Sequence, residues 1–166
     1  MVHSSKGTDT QLVISSGQEQ GAKRYIGLTY ESFPEHPRDD PSSLYTDYGR
    51  PSLSLWSGLT WLSLDEPSTA WEIFAQVGGL NPKLVISERN RIEIINHQAE
   101  TAIAGDQELF TAYLQEGLKG AKQIGSEKRH HEIWEIYEQA KKTWRNDKKI
   151  LMLRKDLLDI ENAKTA

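Results

Sequence analysis

Apolar residues are spaced differently in the two halves of this chain. From residue 84 onward they recur every three or four positions, the period of a helix buried along one side. Leu84, Val85, Ile92, Ile95, Ala99, Ala102 and Ile103 share one face, which predicts a helix from Asn81-Pro82 to Gly105. Upstream, Asp65-Glu66-Pro67-Ser68 has the acidic residues and first-turn proline of a helix start, and Gly78-Gly79 stops that helix. Asp106 is placed to cap a further helix with Phe110, Tyr113, Leu114 and Leu118 turned inward, and Ser126 to cap the next. Beyond Ser126, Ile133, Tyr137, Ala140, Trp144, Leu151 and Leu158 form one seam, while Ile150, Leu153, Leu157 and Ile160 form a second stripe. Residues 127–160 therefore read either as one long helix or as two joined at Asn146-Asp147. A helix end that is apolar on two sides needs two neighbours, from its own chain or from another copy.

The first half lacks that period. Residues 1–21 are polar around a short Leu12-Val13-Ile14 run and read as a loose arm, with a single domain over residues 22–166. Residues 22–30, AKRYIGLTY, have the β-branched and aromatic content of a strand, and four prolines follow between Phe33 and Pro51. The run SLSLWSGLTWLSL at 52–64 scatters its apolar residues around a helical wheel and contains four serines and Gly58, which weaken a helix. Folded as a hairpin at Ser57-Gly58, it instead puts Leu53, Leu55, Thr60, Leu62 and Leu64 on one face, with Trp56, Leu59 and Trp61 near the turn on the other. The expected fold is thus mainly α with a small β element: a β- and turn-rich part (22–65) packed on a helical part (66–166) of about four helices.

Composition narrows the function classes. The chain has no cysteine, which excludes disulfides and thiolate metal sites. The N-terminus does not carry a basic region followed by an apolar core, so a cytoplasmic protein with no membrane span is expected. The net charge of −4 conceals an asymmetry, since Lys119 to Lys155 holds eleven basic residues against five acidic ones. Lys141, Lys142, Arg145, Lys148 and Lys149 cluster opposite the Ile133–Trp144 seam and are a candidate phosphate-binding face for a nucleic acid. A solvated helix face is the plainer account of the same charges.

Sharper chemistry is sparse. There is no GxxxxGK[ST], GxGxxG, HExxH or nucleophile elbow, so neither a cofactor nor a metal is expected. Arg91 and His97 in RIEIINH resemble the R-x(4–6)-H motif of HEPN-type ribonucleases, an all-helical family. The resemblance implies that these two residues would polarise a phosphodiester and a ribose hydroxyl, although on an ideal helix they point about 120° apart. Glu132-x-x-Glu135 and Asp156-x-x-Asp159 resemble the Mg²⁺-binding pattern of all-helical nucleotide pyrophosphatases, which requires a turn at Asn146-Asp147. Gly117-Leu-Lys-Gly120 is similar to the GxxG clamp of KH modules, with helix fraying as the alternative. With no catalytic constellation, the leading expectation is a non-enzymatic helical interaction or structural protein. Self-association or a protein partner would be engaged through Trp56, Trp61, Ile150, Leu153, Leu157 and Ile160. Nucleic-acid binding by the basic face and an Arg91/His97 ribonuclease are the alternatives.

Overall fold

The computed structural model describes residues 6–33, 49–77, 86–145 and 147–162. Seven helices are present among them: α1 (Lys6–Ser32), α2 (Arg50–Ser63), α3 (Pro67–Val77), α4 (Glu88–Ala102), α5 (Gln107–Gln123), α6 (Glu127–Thr143) and α7 (Lys148–Asn162). The chain divides into two compact units, Met1–Leu53 and Ser54–Ala166. No described helix is long and apolar enough to cross a membrane.

The expected β element is absent from the described residues, and both segments assigned to it are helical. Residues 22–30 lie in α1, where Thr29 donates its hydroxyl proton to the Tyr25 carbonyl at 2.7 Å and Lys23 pairs with Glu19 one turn back. Side-chain bonds to the preceding turn let β-branched and hydroxyl residues sit in a helix despite their local preference for extended backbone. The run at 52–64 forms most of α2 and makes no hairpin. Its inward side is built from small residues as well as large ones: Ser54, Leu55, Ser57 and Gly58 are buried. A Cβ on Gly58 would lie 2.3 Å from Cε1 of Phe74, so the glycine is what allows α3 to approach α2 this closely. Leu55, Ala70, Phe74, Val77 and Ile94 make the resulting cluster, with Leu59, Trp61 and Leu62 against it. The proline-rich segment 34–48, the Gly78-Gly79 stop, the Asn81-Pro82 start, and Leu84 and Val85 lie outside the described residues.

Helices α3 to α7 follow the apolar period. Pro67 opens α3, as a residue without an N–H can at that position. Ser87, Asp106 and Ser126 cap α4, α5 and α6, each accepting the backbone N–H three residues on, so α4 opens at Glu88 rather than at the Asn81-Pro82 start expected from the sequence. The segment after Ser126 is two helices rather than one, broken at Trp144–Asp147. Asp147 supplies the reason, because its Oδ1 accepts from the backbone N–H groups of Lys149 (2.8 Å) and Ile150 (3.3 Å) and so caps α7.

Helix α4 is the hub, packing against α3, α5 and α6, and is accordingly buried almost all round. Two glycines bring α5 onto it in antiparallel register. A Cβ on Gly117 would sit 2.3 Å from Oδ1 of Asn96, and one on Gly120 2.7 Å from Cγ1 of Ile92. The Gly117–Gly120 pair is therefore a helix-packing device inside α5, neither a frayed end nor an exposed backbone clamp. The main core gathers Phe110, Leu114 and Leu118 of α5, Ile133, Ile136 and Tyr137 of α6, and Ile150, Leu153 and Leu157 of α7.

Candidate functional site

The residues singled out for chemistry do not converge on one site. Between α4 and α6, Arg129 is only 3% exposed. Its guanidinium donates to both oxygens of Glu132 (2.8 and 2.7 Å) and to Glu93 Oε2 (2.7 Å). Asn96 completes the group, donating to the Arg129 carbonyl and to Glu132, both at 3.3 Å. Glu132 is thereby spent on an internal ion pair, while Glu135 faces His131 at 3.5 Å on the open side of α6. The turn that the acidic-pair pattern requires does exist, yet no group of three or more potential metal ligands occurs among the described residues. The side chain of Asp159 lies outside them. Sequence reading missed Arg129, whose only signal was an arginine at a position facing the buried side of a helix.

Arg91 and His97 have separate surroundings. Arg91 donates to both carboxylate oxygens of Glu88 (2.8 and 2.6 Å) and lies 3.7 Å from Glu116 of α5. The hydrogen bond from Arg91 holds the Glu88 carboxyl below its usual range, opposed by partial burial. His97 stacks on Phe74 of α3, with ring centroids 6.0 Å apart, and its Nδ1 lies 2.9 Å from Glu100. One residue is thus engaged across α4–α5 and the other across α3–α4, and no described contact joins them.

The partner-binding candidates also separate. Trp56 is 63% exposed on the outer side of α2, while Trp61 is half-buried against the α2–α3 cluster. Ile150, Leu153 and Leu157 are buried in the main core and so unavailable to a partner. Their stripe is satisfied by the chain's own α5 and α6, because the break at Trp144–Asp147 folds α7 back onto them. The Ile160 side chain lies outside the described residues. The apolar surface of α7 is instead its outer side, where Leu151 and Met152 are exposed.

The basic face lies at one end of the Ser54–Ala166 unit. Lys142, Arg145, Lys148 and Lys149 are exposed at the α6–α7 corner, with Lys141 half-buried and paired with Glu138. The acid in their midst, Asp147, is committed to the α7 cap. The Gln107 side-chain hydrogen bond, followed by the Ile150 and Lys149 N–H groups, holds its carboxyl below the usual range. Beside this corner, an open cleft of about 400 Å³ runs between the start of α3 and the α4–α5 turn. Pro67, Trp71, Ala102 and Leu109 form its apolar walls, and Glu72 and Asp106 supply its charge.

No family model matches this chain, nor does any curated protein or solved structure. The chemistry of these surfaces therefore rests on their own geometry. Buried ion pairs and stacked rings occupy the ionisable groups between helices. What remains outward in the Ser54–Ala166 unit, among the described residues, is chiefly Trp56, two apolar residues of α7, a basic corner and an acidic cleft.

Proposed function

We propose that the chain is a non-enzymatic helical interaction protein that self-associates. The observation that carries this reading is Trp56. A tryptophan 63% exposed on a helix whose opposite side is used in packing retains a large apolar area outside the fold. Tryptophan is also among the residue types most often dominant in interfaces. The outer apolar pair of α7, Leu151 and Met152, supports the reading. The aligned Ile150, Leu153 and Leu157 do not, being core.

Light scattering on the wild type and on Trp56→Ala tests it. The wild type should exceed the 18.9 kDa of one chain. The variant should move toward that mass with an unchanged melting temperature, since Trp56 packs little of its ring internally. A wild type that stays at one chain's mass over a wide concentration range overturns the reading. A variant that associates normally but melts lower assigns Trp56 to the fold instead.

A further inference from the structure

The cleft and the basic corner lie side by side at one end of the bundle, and their charges are opposite. Helix α5 fixes this placement. Its cap Asp106 and Leu109 line the cleft, while the intervening Gln107 bonds Asp147 of the corner and Phe110 meets the Trp144 ring at a centroid distance of 5.1 Å. On the cleft side, the lining carries Glu72 and Asp106 and no lysine or arginine. On the corner side, residues 141–149 hold five basic residues and one acid.

We infer that the cleft is a docking site for the basic α6–α7 corner of a second copy of this chain, so that two copies meet end to end, each corner in the other's cleft. The inference rests on the self-association proposed above and adds an ionic surface to the apolar one centred on Trp56. Within one chain the two are neighbours along the first turn of α5. A two-fold arrangement, by contrast, sets each acidic cleft against a basic corner twice over. The cleft has matching chemistry, since Trp71 gives it an aromatic wall against which a guanidinium or ammonium can pack and Glu72 an opposite charge. Arg145, Lys148 and Lys149 are exposed around Asp147, which caps α7.

A charge-swap experiment on the full chain tests the inference. Sedimentation velocity is run on the wild type, on Glu72→Lys, on Lys148→Glu/Lys149→Glu, and on an equimolar mixture of the two variants, with circular dichroism confirming that each is folded. Each variant alone should associate at least about tenfold more weakly than the wild type, and raising the salt should weaken the wild type in the same direction. The mixture should recover association, because in one contact the lysine introduced at position 72 meets the two introduced glutamates, while the other contact keeps the native pair. A wild type that associates but is indifferent to both charge reversals and to salt overturns this inference and leaves the self-association reading standing. A monomeric wild type removes both. If the double variant loses only binding of a labelled oligonucleotide, with its mass unchanged, the corner serves a nucleic acid and the inference is wrong.

Discussion

At the scale of single residues, two kinds of position control the fold. Arg129 is buried with two carboxylates, and removing it would leave Glu93 and Glu132 facing each other without a cation. Breaking a buried pair from one side costs about 3–5 kcal/mol. Arg129→Ala should therefore show a large loss in urea unfolding, and Arg129→Met combined with Glu93→Gln and Glu132→Gln should recover much of it. The glycines act by absence. Since Gly120 leaves only 2.7 Å between an added Cβ and Ile92, Gly120→Ala forces α5 off α4. Overpacking of this kind costs about 1–3 kcal/mol, whereas Gly105→Ala meets nothing within 4 Å. Thermal melts of the two alanine variants should differ accordingly.

At the scale of elements, the legible helices were those whose inward faces are large and apolar. Phe110, Leu114 and Leu118 mark α5 by spacing alone, and Ser126 marks the start of α6. Helix α2 was not legible in that way because Ser54, Ser57 and Gly58 occupy much of its inward face, and small polar residues there look like turn chemistry. Only the closeness of Phe74 explains them, and that is a fact about another helix. The same blindness affected α7. Its stripe of Ile150, Leu153 and Leu157 reads as unpartnered until the cap at Asp147 turns the helix back onto α5 and α6. Among the surfaces, the basic corner was visible in the charges, while the cleft beside it depends on the α4–α5 turn meeting α3. The Asp147 cap also has a pH signature. Its carboxyl is lowered in the folded state, so its contribution is complete above the ordinary carboxylate range of about 4 and disappears as the pH falls through the folded value. Melting temperatures followed from pH 7 to pH 3 should fall at the acid end, and Asp147→Ala should be less stable at pH 7 and show a shallower acid loss.

At the scale of the whole molecule, the two sides of α7 should respond oppositely to charge. Leu157 is fully buried, and Met152 is 73% exposed. Leu157→Asp places an unpaired carboxylate in the main core and should unfold the bundle or leave it loosely packed, as seen by loss of near-ultraviolet dichroism. Met152→Asp should keep the wild-type spectrum and melting temperature. Equal damage from both would mean that α7 does not pack by its Ile150–Leu157 stripe. For the same reason, association assays should probe the outer residues of α7, since aspartate at Leu153 or Leu157 would report on folding alone.

The ionic link between α4 and α6 also bears on how the chain reaches this state. Most of the bundle's packing joins helices adjacent in sequence across short turns, and such contacts close quickly because little loop entropy is lost. The Arg129–Glu93 bond spans 36 positions and so closes a longer loop than the α4–α5 contacts do. It is therefore expected to form late, so that Arg129→Ala should speed unfolding more than it slows folding in stopped-flow measurements.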